Sequence, residues 1–112
     1  MEESILTSIK KLLGITEEYT HFDTDIIIHI NSVFMTLNQL GVGPSEGFRI
    51  QDSTALWEDY IEEEDDLEGV KTYIYLKVKL VFDPPLNASV MEVMKQTIKE
   101  YEWRLNVQAE SE

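Results

Sequence analysis

The sequence contains no cysteine, and that one absence removes disulfides, thiolate metal sites and a cysteine nucleophile together. Basic residues are scarce as well: 9 Lys and Arg stand against 22 Asp and Glu, a net charge of -13. Sequence-independent nucleic-acid binding depends on cations that neutralise phosphates, so this balance argues against it. It argues equally against docking on an anionic membrane surface. Apolar runs are short beside the roughly 20 residues of a membrane span. The opening Met1-Glu2-Glu3-Ser4 is acidic where a secretory signal would be basic. The reading is a soluble protein made and kept inside a cell, and solubility alone is one explanation of its acidity.

What is present suffices for one core. The chain has 112 residues, the size of one domain, and 43% of them are hydrophobic. Candidate core residues are spread from Ile5 to Leu105, so neither half reads as a tail.

Spacing points to an all-α fold with long second and last helices. From Glu2 to Leu13, Ile5, Ile9 and Leu12 recur at helical steps, Lys10 and Lys11 complement the helix dipole, and Gly14 follows as a terminator. Asp23 or Thr24 can cap a second helix whose stripe is Ile26, Ile27, Ile30, Val33, Phe34, Leu37 and Leu40, ending at Gly41. Val42 to Gln51 reads as loop. A short helical turn then begins at Asp52 or Ser53 and carries Ala55, Leu56, Trp57 and Tyr60. Between Glu58 and Glu68, eight of eleven residues are acidic, with Glu62, Glu63, Glu64, Asp65 and Asp66 consecutive.

The stretch 70–82 fits two patterns. Tyr73 to Leu80 alternates and is rich in β-formers, whereas Val70, Ile74, Lys77 and Val81 match helical spacing. No second segment offers itself as a pairing partner, and a lone strand leaves its backbone unpaired, so helix is the preferred reading. Asp83-Pro84-Pro85 stops this element. Asn87 or Ser89 caps a last helix to about Val107, with Met91, Met94, Ile98, Tyr101 and Leu105 as its stripe. Residues 108–112 are expected to be a frayed tail.

Nothing in the pattern nominates catalytic chemistry. His21 and His29 are eight residues apart, whereas a helical zinc pair falls at three or four. The acidic run lacks the internal glycine and alternating ligands of a calcium loop, and its carboxylates read as a solvated, self-repelling segment. No glycine-rich phosphate loop or serine–histidine constellation is present. No cofactor, metal site or enzymatic activity is expected.

Two aromatic residues are the candidate interface positions. At 100° per residue Trp103 projects nearly opposite the stripe of the last helix, either onto its own Pro84-Pro85 turn or onto a neighbouring subunit. Trp57, beside the acidic run, reads first as a local core anchor and second as an interface residue.

Taken in order, these segments resemble a known family. The carriers are Ile9-Lys10-Lys11-Leu12-Leu13-Gly14-Ile15, Asp25-Ile26 with His29-Ile30-Asn31, Leu37-Asn38-Gln39-Leu40-Gly41, Phe82-Asp83-Pro84-Pro85, and the closing run from Thr97 to Asn106. The pattern resembles the small head–tail connector (adaptor) proteins of tailed bacteriophages and of prophages of Gram-positive bacteria, over nearly the whole chain.

That resemblance implies a compact single domain of about four to five helices. It implies assembly in the host cytoplasm into a ring of identical copies at the virion head–tail junction. Its partners would be the portal protein and the next tail-side protein, with DNA passing through unbound and no membrane involved. It carries no catalytic residues over. Glu62, Glu63, Glu64, Asp65 and Asp66 become the candidate channel-facing or partner-facing segment, since carboxylates repel phosphate. A different class, an acidic inhibitor that mimics DNA, would spread its acids over a long face, whereas here they cluster in one run.

Overall fold

The computed structural model describes residues 4–61 and 64–110, with the backbone alone for 64–66. Among the described residues five helices follow one another: α1 (Ile5–Leu12), α2 (Asp23–Gln39), α3 (Trp57–Tyr60), α4 (Glu64–Phe82) and α5 (Ala88–Glu110). The fold is all-α, as expected, and α2 and α5 are long. The central element is α4, which packs on α2 along one flank and α5 along the other, while α1 lies against α2 and α4. The molecule is a slab of 39 × 36 × 23 Å.

Local chemistry places each helix. Ser4 caps α1, its side-chain oxygen accepting from Thr7 N–H at 3.2 Å, so the helix starts at Ile5; the expected start at Glu2 lies outside the described residues. Gly14 follows the C-cap with φ of 83°. Of the expected stripe, Ile5 and Ile9 are buried but Leu12 is exposed. Lys10 turns inward instead, 2% exposed, with Nζ 2.8 Å from Asp23 and donating to the Glu17 carbonyl.

α2 begins at Asp23, with Phe22 at the cap position and no side-chain capping bond, so neither Asp23 nor Thr24 is the N-cap. Asp23 and Asp25 occupy its first turn, where negative charge suits the helix dipole. The stripe Ile26, Ile30, Val33, Phe34 and Leu37 is buried as its spacing predicts.

The 70–82 stretch is helix. Val70, Tyr73, Ile74 and Val78 form the wall of the core, all 0% exposed. α4 starts at Glu64, so the later acids of the charge run open a helix and do not extend the loop. Asn87 caps α5, its Oδ1 accepting from Ser89 and Val90 N–H at 2.8 and 3.2 Å. Residues 108–110, expected as part of a frayed tail, continue the helix to Glu110. Just before them, Asn106 Nδ2 donates to the Leu40 carbonyl at 3.2 Å, tying the end of α5 to the end of α2.

The turn before α3 is narrower than expected, since the helix covers only Trp57–Tyr60. Ahead of it, Asp52 accepts from the Thr54 backbone and hydroxyl, and these bonds hold its carboxyl below the usual range. Ile5 N–H donates to the Ala55 carbonyl at 3.0 Å, and Asp59 accepts from Leu56 N–H at 2.9 Å. The segment is thereby pinned to α1.

Candidate functional site

Two exposed apolar faces stand out among the described residues. The first is a groove of about 680 Å³ between the outer side of α2 and the loop 46–49. Ile28 and Met35 line one wall, 59% and 68% exposed; Phe48 and Arg49 line the other. Its geometry depends on Asn31, whose amide grips the Ile50 backbone in both directions, accepting from N–H at 2.7 Å and donating to C=O at 2.9 Å. Asn38 Nδ2 adds a bond to the Pro44 carbonyl at 3.1 Å. Below the loop, Phe34, Phe48 and Tyr60 pack ring on ring with centroids 4.6–5.2 Å apart. The loop is therefore held on a packed aromatic base.

The second face is the outer side of α5. Its stripe Met94, Ile98 and Leu105 is buried, with Met91 and Tyr101 half-buried. Trp103 lies on the opposite side and is 68% exposed, with Val107, also exposed, one turn further along that side. An ion pair between Glu100 and Arg104, four apart in the stabilising order, crosses the strip. Trp103 is thus open to solvent and not packed under the Pro84-Pro85 turn.

Trp57 is found in the core. It is 2% exposed, its Nε1–H donates to Ser8 Oγ at 2.7 Å, and Lys71 Nζ lies 5.4 Å from its ring centroid. Nothing of its side chain is offered to a partner in this fold.

Of the candidate acidic segment, Glu62 and Glu63 lie outside the described residues, and for Glu64, Asp65 and Asp66 only the helical backbone is described. The flanking Glu58, Asp59 and Glu68 are exposed. The opposite charge collects elsewhere: Lys77, Lys95 and Lys99 share the groove between α4 and α5 with Glu92 and Glu102.

The histidines pack against aromatic rings. His21 meets Phe22 edge-on at 4.8 Å, and His29 lies 6.5 Å from the Phe82 ring. Among the described residues no three His, Asp or Glu side chains are gathered as a metal site. No helix among them is long and apolar enough to cross a membrane.

The sequence profile of a family described as phage connector protein matches residues 5–112. The chain belongs to that family. This connector protein is accordingly a structural component of a phage virion, with a role at the head–tail connection and interactions with other virion proteins. No curated protein and no solved structure matches it. The resemblance of the sequence segments to phage connectors agrees with this family, and Trp103 is exposed opposite the buried stripe, as its spacing predicts. Nothing in the spacing marks the groove of the connector, whose walls come from an isoleucine run and a loop, or the Asn31 clamp. Asn31 beside the buried stripe is polar, but nothing near it in the sequence points to Ile50.

Proposed function

We propose that this connector assembles as a ring of identical copies between the portal and the first tail-side protein, with packaged DNA passing through the centre. The supporting observation is the family match over residues 5–112, almost the whole chain. A ring of identical copies joins them by heterologous contacts, so each copy needs two different patches. The reading includes assembly in the cytoplasm of the host, a Gram-positive bacterium, from a phage or prophage genome.

In this reading the acidic segment around Glu62, Glu63, Glu64, Asp65 and Asp66 lines the DNA path. Carboxylates repel phosphate, the reverse of a basic DNA-binding groove, so the duplex slides without adhering. Mixing purified portal with the chain and imaging by electron microscopy should give an added layer of density beneath the portal. A chain that stays monomeric and never joins the portal would sink the proposal. For the channel itself, the triple substitution E62K/E63K/E64K should slow DNA ejection and lower infectivity in particles that still carry the connector. Unchanged ejection would remove the channel role and leave the acids as a docking surface for a basic patch on the portal or tail protein.

A further inference from the structure

We infer that the groove between α2 and residues 46–49 receives the outer face of α5, led by Trp103, from the neighbouring copy of this chain. The inference rests on the ring reading above and names the two patches that such a ring requires. The first argument is exposure. Trp103 and Met35 are each 68% exposed, Ile28 is 59% and Val107 is 42%, so both faces carry large apolar side chains with no cover in the single chain. Isolated exposed apolar residues need no explanation, but here they lie together along a groove and along a helix face.

Charge selects the occupant. The chain carries -13, so two copies repel each other across most of their surfaces. The groove is an exception: its charged residues, Glu46 and Arg49, cancel. On the exposed side of α5, Glu92, Glu100 and Glu110 are balanced by Lys95, Lys99 and Arg104. Each face therefore approaches a like-charged copy without net repulsion, and each carries both signs of charge for the other to meet. A basic partner would be drawn to the acidic surfaces, not to these neutral ones.

Shape agrees. One face projects an indole, the side chain most favoured as a contact anchor, and the other is concave and walled by Met35, which adapts to what it receives. α2 and α5 flank α4 on its two sides, so the patches are different surfaces of one copy and the contact is heterologous.

The absence of native cysteine makes the test clean. Ser32, in the groove, and Val107, on the α5 face, are both exposed and accept cysteine without disturbing the core. Particles would be assembled with S32C, with V107C, with a mixture of the two, or with the double variant, then treated with a short bismaleimide. The expected result is a cross-linked dimer in the mixture, a ladder of higher species from the double variant, and no dimer from either single variant. W103A, with unchanged helical circular dichroism, should lower the ladder yield at least ~10-fold.

Dimers of S32C with itself would show an isologous contact and overturn the inference. So would an absence of cross-links in particles that contain the chain, or a W103A yield equal to the parent. In the last two cases the connector reading survives. Particles that assemble tails without the chain would bring down both.

Discussion

The Ser8 hydroxyl ties α1 to α3. It donates to the Ser4 carbonyl at 2.8 Å and its oxygen accepts from Trp57 Nε1 at 2.7 Å, joining residues 49 positions apart. Replacing Ser8 with Ala leaves a buried indole N–H without a partner, at a cost of about 1–3 kcal/mol. In the W57F background the same replacement should cost much less, because the orphaned donor is gone. Urea unfolding of the four members of this cycle measures the coupling, and additive losses would refute the bond's role. Burial raises the hydroxyl pKa of Tyr60, and burial followed by the Glu102 carboxylate at 2.7 Å raises that of Tyr73. A raised folded-state value favours the neutral phenol, so the stability it confers is complete below the unfolded value of about 10 and is lost as pH rises beyond it. Urea midpoints should therefore hold steady to about pH 9 and fall above about pH 10, and Y73F should flatten part of that fall. Lys10 was the residue least legible in advance. A lysine in a last helical turn reads as a solvated partner of the dipole, whereas here it is enclosed by Asp23 and the Glu17 carbonyl, on a segment the spacing of α1 does not contain.

At the scale of elements, turns divide into those that tolerate a side chain and those that do not. Gly14 has φ of 83° and open space where a Cβ would stand, so G14A should cost only the left-handed backbone penalty of about 1–2 kcal/mol. Gly43 has φ of 86°, and a Cβ there would fall 2.6 Å from Tyr60 Cε1 and 2.8 Å from its hydroxyl. G43A adds overpacking to the backbone penalty and should cost about 2–5 kcal/mol, displacing the aromatic base of the groove loop. Thermal unfolding of both variants tests this, and equal losses would show that the Tyr60 contact yields freely. The helices themselves were largely legible, because α2 and α5 each bury one stripe that recurs at helical spacing. α4 was ambiguous for a physical reason. It is covered by α1, α2 and α5, and Tyr75, Leu76 and Leu80 pack against the core from beside its buried wall, so apolar residues nearly encircle it and hide the helical period. Half of the candidate site was legible for the same cause: Trp103 stands out against a regular stripe. The groove depends on a contact between residues 31 and 50 that no local pattern encodes.

For the whole molecule, the slab shape and the charge act in opposite directions. A flat layer of helices leaves the outer sides of α2 and α5 uncovered, which favours association of copies. A net charge of -13 opposes it, because each added copy brings more acid to the assembly. Salt separates the two effects. The Debye length shrinks from about 10 Å at 0.1 M to about 3 Å at 1 M, which screens repulsion between copies and leaves apolar contact at least as strong. Self-association of the connector should therefore strengthen as salt is raised, read as a rise in weight-average mass by sedimentation at fixed protein concentration. Binding of its acidic segment to a basic portal or tail surface should weaken over the same range. A mass that falls with salt would mean that opposite charges, such as the Lys77, Lys95 and Lys99 groove meeting the acids of a neighbour, hold the copies together. The apolar faces would then have to answer to a different partner.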